Sequence, residues 1–455
     1  MQIKNKKTVK DFLRIFGEVT DVIKSWIGNI NPDLSNNRDI DSLILKMNEC
    51  LNPKGGEILA RKNTVSLGNL YLNLSEKGKI KFLQILAKKF NLNKARVNEK
   101  INEYKKNQNS ESNYKFEQDL IKALESPRFK ILKQFISLPE GLKFIVDMRS
   151  DVLRLKNQYK EFNRLANELK NILLSWVDVD LLDLRQITWD SPASLLEKLI
   201  KYEAVHKISS WGDLKNRLDS DRLCFAFFHY KILNEPLIFV EVALMNRIAS
   251  NIQHLLDESI PSGDPSSAST AIFYSISNTK VGLSGISLGS FLIKRVVEKL
   301  SQDFKSIKIY ATLSPIPGFI SWLKKSLIQE NINLLNKLNI KQSSVEILES
   351  IEQLRVNSEY KKQCLLKLCA YYLLKVKNSS GGAYDTVAHF HLSNGASIKQ
   401  LNWMADISEK GISQSAGIMV NYVYELSKID NNHEGYMVDK IVFHSKQMLS
   451  LLRTK

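Results

Sequence analysis

The sequence is poor in cysteine and has no long apolar run. Its 455 residues contain four cysteines, and no two of them form a CxxC pair. A chain of this length needs no disulfides to build a core, so we expect a reducing cytosol. No segment approaches the roughly 18 apolar residues of a membrane-spanning helix. Because no signal-peptide core follows the basic N-terminus and LLRTK is no peroxisomal address, we expect a bacterial cytoplasmic protein without a membrane partner.

Metal-ligand spacing and concentrated basic segments are also missing. The histidines and cysteines do not recur at the intervals of zinc sites. The net charge of +17 is large, but lysine and arginine are spread over the whole chain, and no basic block carries interleaved aromatic residues. A nucleic-acid-binding surface usually concentrates both. We therefore expect neither a bound metal nor a nucleic-acid partner, and part of the charge can attract a polyanionic small molecule.

Residues 271–319 hold the most informative pattern. Ala271 to Ser277 is short, apolar and aromatic, as strands are. Three glycines follow within eight residues, apolar residues then recur at helical spacing from Ser290 onward, and a second strand is predicted over 307–313. A glycine loop that enters a helix presents free backbone N–H groups and the positive end of the helix dipole, which suits a phosphate. A purely structural turn has the same composition, so the glycines alone leave both interpretations open.

The pattern of apolar and polar residues changes near residue 178. Up to residue 177, apolar stripes at helical spacing alternate with lysine and glutamate, which predicts helices with solvated faces. The stripes lie at residues 12–22, 80–90 and 144–153. Beyond residue 178, strand-like runs at 224–228 and 236–244 precede the glycine loop, and residues 320–378 return to helix. We expect two domains, 1–177 and 178–455.

Several long motifs resemble the malonyl-CoA decarboxylase family. They occur in the family's order between residues 140 and 450: FIVDMRSDVLRL, LRQITWDSP, the segment from Ala204 to Glu258, AIFYSIS, SFLIKRVV, LSPIPGF and VAHFHLSNGASIKQLNWMADISEKGISQSAGIMVNYVYEL. The order strand, glycine loop, helix and strand also resembles the coenzyme A-binding core of the GNAT acyltransferase superfamily.

The resemblance implies the fold, the reaction and the assembly. It implies an α+β protein in which an N-terminal all-α helical bundle is followed by a GNAT-like mixed-sheet α/β catalytic domain. Malonyl-CoA would be converted to acetyl-CoA and CO2 by a homo-oligomer assembled through the helical domain. No cofactor is expected, because the thioester itself accepts the electron pair of the broken C–C bond. The enolate then needs only hydrogen-bond donors and a proton.

His391 is the residue on which we expect proton transfer to depend. It lies in HFHLSNG, which we interpret as a strand end followed by an Asn-Gly turn. The ordinary pKa of histidine is near neutrality, which suits proton transfer, and the resemblance places the family's catalytic histidine here. By itself, such a residue is more often structural. His389 would share a strand face with His391; the match to the family's FHLSNG segment and the position nearer the strand end favour His391.

The resemblance assigns the other site residues. Ser314, in SPIPGF at the end of the second strand, takes the family's second catalytic position, although a serine before proline usually indicates only a turn. Ser275, Asn394 and Tyr424 take substrate-binding positions. The predicted coenzyme A-binding loop comprises Ser284, Gly285, Ile286, Ser287, Leu288, Gly289 and Ser290. Some family members carry a glutamate where this chain has Ser287, so we expect no loop carboxylate to orient His391.

Two other functions stay open at this point. A GNAT-type acyl transfer from coenzyme A to an amine fits the glycine loop, but the segments of His391 and Ser314 follow the decarboxylase pattern. A catalytically inactive coenzyme A-binding scaffold has Ser287 as its only support. The sequence shows no Ser-Asp-His order with nucleophile-elbow spacing, so a serine hydrolase is not predicted.

Overall fold

A computed structural model of the chain describes most of its residues. The described residues are 30–53, 56–108, 113–138, 140–177, 181–286, 288–329, 333–352 and 359–453. The apolar stripe at 12–22 lies outside them. The chain divides into two compact units. One consists of the residues up to Leu181 with His229–Leu233 and Lys280–Ile286, and the other of Leu182–Phe228, Asn234–Thr279 and Ser287–Lys455.

Polar side chains fix where several helices of the first unit begin. The side chains of Asn36, Ser75, Asn93 and Ser126 each accept a hydrogen bond from a backbone N–H three residues further on. Each bond satisfies a donor that the first helical turn leaves free. The described helices are α1 (Asn37–Leu51), α2 (Gly56–Asn73), α3 (Glu76–Lys89), α4 (Lys94–Lys106), α5 (Asn113–Leu124), α6 (Pro127–Phe135), α7 (Gly141–Leu155) and α8 (Phe162–Trp176).

The helical stripes predicted at 80–90 and 144–153 are confirmed on α3 and α7. They bury Phe82 and Leu86 on one helix and Ile145 and Met148 on the other. Burial of such side chains removes apolar surface from water, which is the main driving force for packing the helices together.

From Leu182 onward, the chain contains both strands and helices. The described elements are β1 (Leu182–Ile187), α9 (Ala193–Tyr202), α10 (Trp211–Asn216), β2 (Arg222–His229), β3 (Ile232–Met245), α11 (Ile252–Leu256), β4 (Thr270–Asn278), α12 (Leu288–Asp303), β5 (Ile309–Thr312), α13 (Phe319–Gln329), α14 (Asn333–Lys337), α15 (Ser344–Glu352), α16 (Glu359–Lys375), α17 (Thr386–Ser393), β6 (Ser397–Asn402), α18 (Glu409–Ser415), β7 (Met419–Tyr424), α19 (Ile429–Asp439) and α20 (Lys446–Leu452). No helix among the described residues is long and apolar enough to cross a membrane.

The strands form one mixed sheet in the order β1-β2-β3-β4-β5-β7-β6. β4 and β5 run parallel, whereas β4 is antiparallel to β3, and β7 is antiparallel to both β5 and β6. The predicted fold class, a helical part followed by a mixed-sheet α/β part, is therefore confirmed. The second strand of the glycine-loop pattern is shorter than predicted, because it covers only Ile309–Thr312.

The register of β4 creates an opening in the sheet. β4 pairs with β5 only as far as Phe273 and Thr312. Beyond this point β4 continues beside β3 to Asn278, while Ser314 pairs with Val420 in β7 instead. The two parallel strands thus separate next to Ser314.

A register shift between β3 and β4 determines on which face of the sheet Ser275 lies. Glu241 of β3 pairs with Ser275, but its neighbour Val242 pairs with Phe273. Consecutive residues of a strand point to opposite faces, and paired residues share a face. Ser275 and Phe273 therefore lie on opposite faces of the sheet, although they are two residues apart.

The predicted strand end at HFHLSNG is wrong, because this segment forms helix α17. Asp385 starts the helix, since its side chain accepts hydrogen bonds from the backbone N–H groups of Val387 and Ala388. The helix ends at Ser393 with Asn394 as its C-terminal cap, and Gly395 follows with a φ of +82°, a conformation that favours glycine. The aromatic composition suggested a strand, but the N-terminal cap and the glycine after the last turn determine a helix.

Candidate active site

His391 forms hydrogen bonds through both nitrogens of its imidazole. Nε2 lies 3.1 Å from Oγ of Ser314, and Nδ1 lies 2.8 Å from the hydroxyl oxygen of Tyr424. The imidazole also stacks on the ring of Tyr422, with centroids 4.5 Å apart and an angle of 24° between the planes. Ser314 lies two residues after β5, Tyr422 and Tyr424 lie in β7, and His391 lies in α17. Segments far apart in the sequence therefore meet at one imidazole.

Thr312 extends this chain of hydrogen bonds. The hydroxyl of Ser314 donates to Oγ1 of Thr312 over 2.8 Å, and the same oxygen accepts the backbone N–H of Tyr422 over 3.2 Å. When Ser314 donates to Thr312, its oxygen accepts the proton on Nε2 of His391, and Nδ1 accepts the hydroxyl of Tyr424. Each group then donates to the next one in the series Tyr424, His391, Ser314 and Thr312.

Burial keeps the imidazole uncharged. His391 is 3% exposed and Ser314 is 5% exposed. Loss of hydration disfavours the protonated form and lowers the pKa of His391 to about 3. The same effect raises the pKa of the Tyr424 hydroxyl, so this group keeps its proton. At neutral pH the centre therefore consists of neutral hydrogen-bond donors and acceptors.

His389 lies away from this centre. On a helix, residues two apart differ in direction by roughly 200°. Nδ1 of His389 lies 2.7 Å from the hydroxyl oxygen of Tyr436, which in turn accepts the backbone N–H of Ala383. The helix thus separates the two histidines, which the predicted strand would have placed on one face.

Ser275 is not brought to His391. Its hydroxyl lies within hydrogen-bond distance of both carboxylate oxygens of Glu203, at 2.7 and 2.8 Å. Ser277 donates to the same carboxylate over 3.1 Å. This polar cluster lies on the face of the sheet opposite Thr312, because Phe273 pairs with Thr312 and faces away from Ser275. A role of Ser275 in substrate binding stays a prediction.

Asn394 supports the end of the helix that carries His391. Its backbone N–H donates to the carbonyl of His391 over 3.1 Å, and its side-chain amide donates to the carbonyl of Phe390 over 2.7 Å. Both bonds satisfy carbonyls that the last helical turn leaves free. One of the two N–H groups of the amide is thereby used, and contact of Asn394 with substrate stays a prediction.

Only one of the three glycines in the predicted loop region has the geometry of an open turn. A Cβ on Gly282 would meet the carbonyl oxygen of Val146, and one on Gly289 would lie 2.8 Å from the ring of Phe390. Close packing therefore explains both residues. Gly285 has a φ of +73°, which favours glycine, and a Cβ there would lie 3.6 Å from Nζ of Lys170. The loop runs from the first unit at Ser284–Ile286 to the second at Leu288–Ser290, and Ser287 lies outside the described residues.

Sequence reasoning missed Thr312 and Tyr422. Both could have been suggested by alternation, because Thr312 lies two residues before Ser314 and Tyr422 two before Tyr424. No group of three or more His, Cys, Asp or Glu residues that could hold a metal ion occurs in the part of the chain that the structure describes.

Comparison with known proteins places the chain among close relatives. The family model "Malonyl-CoA decarboxylase C-terminal domain" matches residues 180–455, and the corresponding N-terminal domain model matches residues 90–177. The mitochondrial malonyl-CoA decarboxylase of Anser anser anser is 38% identical over 74% of this chain and 71% of its own length. That of Rattus norvegicus is 36% identical over 74% of this chain and 73% of its own length.

Solved structures agree with these matches. The crystal structure of malonyl-CoA decarboxylase from Rhodopseudomonas palustris is 35% identical, with a TM-score of 0.84 over 90% of this chain and 99% of that one. The structure of the protein from Agrobacterium vitis is 33% identical, with a TM-score of 0.79 over 90% of this chain and 100% of that one. The chain therefore belongs to the malonyl-CoA decarboxylase family.

Proposed function

We propose that this protein decarboxylates malonyl-CoA to acetyl-CoA and CO2. One observation carries the proposal: in a chain of this family, a buried imidazole is held between Ser314 and Tyr424 where β4 and β5 separate. A thioester that enters this opening would place its acyl group beside Ser314. No further catalytic group is needed to accept the electron pair, because the substrate carries its own thioester carbonyl.

The reaction needs one bond to break and one proton to be delivered. The bond between the carboxylate and the α-carbon breaks, CO2 leaves, and its electron pair passes to the thioester as an enolate. The α-carbon then takes up one proton, which the protein recovers from water. When the bond breaks, negative charge leaves the carboxylate and moves to the enolate oxygen, where hydrogen-bond donors would stabilise it.

In this proposal His391 and Ser314 deliver the proton and Tyr424 holds the imidazole. A thioester enolate is a strong base, so a neutral donor is sufficient and no imidazolium is required. Among the hydrogen-bonded residues from Tyr424 to Thr312, Ser314 lies nearest the opening between β4 and β5. After Ser314 gives up its proton, His391 can replace that proton from Nε2. Tyr424 fixes the tautomer of His391 by its bond to Nδ1.

The coenzyme A part of the substrate is assigned to the loop before α12. We propose that the backbone of Ser284–Ser290 binds its diphosphate. The left-handed conformation of Gly285 supports this assignment, because it bends the chain without a side chain in the way. Ser275 and Asn394 are kept as proposed substrate contacts. The reaction as proposed uses no metal and no organic cofactor.

We also propose a homo-oligomer, assembled through the helical unit, in a bacterial cytoplasm. The four cysteines are buried and unpaired, which suits a reducing compartment. Light scattering tests the assembly: a mass above that of one chain at micromolar concentration is expected, and a monomer throughout this range would refute it.

Product analysis tests the proposed reaction against acyl transfer. The purified protein is incubated with malonyl-CoA alone and, separately, with acetyl-CoA and a panel of amines. We expect acetyl-CoA to form in the first mixture and no acylated amine to form in the second. Acylated amine without release of CO2 would favour an acyltransferase instead.

A further inference from the structure

Asp385 connects the two segments that carry Ser314 and His391. One carboxylate oxygen accepts the N–H groups of Val387 and Ala388 over 3.0 Å each, at the start of α17. The other oxygen accepts the N–H of Gly318 over 3.4 Å, in the turn that follows Ser314. A single side chain therefore joins the helix of His391 to the SPIPGF turn.

A third segment completes this connection. The hydroxyl of Tyr372, in α16, donates to the same oxygen of Asp385 over 3.2 Å. Tyr372 also packs against the rings of Phe319 and Trp322, with centroids 5.7 and 5.0 Å away. A Cβ on Gly318 would meet the hydroxyl of Tyr372. The helical stretch between the two catalytic segments thus reaches the site through Tyr372.

The carboxylate is unusual for a helix cap because of its surroundings. Asp385 is 2% exposed, and the four donors described above are all uncharged. Burial of a carboxylate is costly unless hydrogen bonds compensate for the lost hydration. Asparagine caps a helix about as well as aspartate, but its amide nitrogen would face the donors of Tyr372 and Gly318. Only a carboxylate offers acceptors to both sides.

We propose that Asp385 is a positioning residue that holds His391 at hydrogen-bond distance from Ser314. Its hydrogen bonds go to Val387, Ala388, Gly318 and Tyr372, so it would act by fixing the start of α17 against the turn after Ser314. Tyr372 assists by orienting the second carboxylate oxygen. This inference rests on the proposed decarboxylation and adds residues that the sequence motifs did not single out.

Asp385→Asn tests the proposal because it preserves the helix cap and removes only the oxygen that accepts from Gly318 and Tyr372. We expect kcat for malonyl-CoA to fall about 10- to 100-fold, since a small misplacement of catalytic groups has effects of this size. KM and the Kd of acetyl-CoA should stay within about twofold, because Asp385 is not expected to touch the ligand. The nitrogen NMR signals of His391, assigned with His391→Asn, should shift as the bond to Ser314 changes.

Two further variants separate positioning from general stability. Ser445→Ala removes the cap of α20, where the side chain accepts from Met448 N–H, and should leave kcat unchanged. Tyr372→Phe should lower kcat less than Asp385→Asn does, and the double variant should be non-additive, because both changes act on one oxygen.

The wild-type protein is measured first, so that the two claims fail separately. Wild-type protein that makes no acetyl-CoA from malonyl-CoA refutes the proposed function. If the wild-type protein is active, a folded Asp385→Asn variant with wild-type kcat and unshifted His391 signals refutes the positioning role. Equal losses of kcat in Asp385→Asn and Ser445→Ala also refute it. If Asp385→Asn does not fold, unchanged kcat in Tyr372→Phe serves as the contradicting result.

Discussion

His391 and Ser314 lie 77 residues apart in the sequence, yet Nε2 of one is 3.1 Å from Oγ of the other. Helices α13–α16 occupy the intervening chain, and they return it to the sheet so that α17 begins beside the turn after β5. The hydrogen bond therefore depends on the fold of this whole stretch. Variants at its two ends test whether the pair performs the chemistry.

His391→Asn should lower kcat by about 100- to 10,000-fold, the usual effect of removing a positioned proton-transfer group. Asparagine keeps a polar side chain but cannot pass a proton between Tyr424 and Ser314. Steady-state kinetics with malonyl-CoA measure the change. Circular dichroism checks that the variant is folded.

His389→Asn is the matched control on the same helix. Its imidazole bonds to Tyr436 on another side of α17, so kcat should change less than about fivefold. An inactive His389→Asn protein together with an active His391→Asn protein would show that the assignment of the two histidines is reversed.

Ser314→Ala and Tyr424→Phe remove the two partners of the imidazole one at a time. Ser314→Ala should reduce kcat strongly, because it removes the hydroxyl nearest the opening in the sheet. Tyr424→Phe should reduce kcat by about 10- to 100-fold, since a buried nitrogen loses its partner and the tautomer is no longer fixed. Steady-state kinetics of both purified variants measure these losses. A variant with wild-type kcat would show that the substituted residue takes no part in the proton transfer.

Much of this site could be predicted from the sequence, and the failures have physical reasons. The family motifs indicated His391, Ser314 and Tyr424, which the structure brings together. The aromatic composition of HFHLSNG favoured a strand, although Asp385 before the segment and Gly395 after it are local signals for the start and the end of a helix. The face taken by Ser275 depends on a register shift between β3 and β4, and pairing register is a property of two strands that neither sequence alone reveals.

Mildly acidic solution should destabilise the folded protein, because there His391 binds a proton in the unfolded chain but not in the folded one. Its pKa is about 3 when folded and 6.5 without the burial that lowers it. The unfolded chain therefore binds a proton below pH 6.5 that the folded protein does not, so stability falls as pH decreases from 6.5 toward 3. At pH 5.0 this residue should reduce the free energy of unfolding by about 2 kcal/mol relative to pH 7.5.

Urea unfolding of the wild-type protein and His391→Asn at both pH values measures this effect. The free energy of the variant should decrease less between pH 7.5 and 5.0. Burial also lowers the pKa of His206, to about 4, but this histidine is present in both proteins and cancels in the comparison. Identical pH dependence in the two proteins would contradict a buried neutral His391.

Gly285→Val should weaken coenzyme A binding more than it disturbs folding. A β-branched side chain would obstruct the approach of a diphosphate and would also strain the backbone at a φ of +73°. Gly381→Val is the matched control, because Gly381 has a φ of +80° in a turn outside the loop. Calorimetry should show weaker coenzyme A binding only in Gly285→Val, with similar losses of Tm in both. Equal affinity of the two variants for coenzyme A would show that the loop is not part of the ligand site.

The most direct test of the central claim is the mass of the product formed from malonyl-CoA in D2O. Decarboxylation through an enolate that the His391 site protonates should yield acetyl-CoA with one deuterium in its methyl group, together with CO2. His391→Asn should form this product at least about 100-fold more slowly. Absence of acetyl-CoA with the wild-type protein, or equal rates with and without His391, would contradict the account.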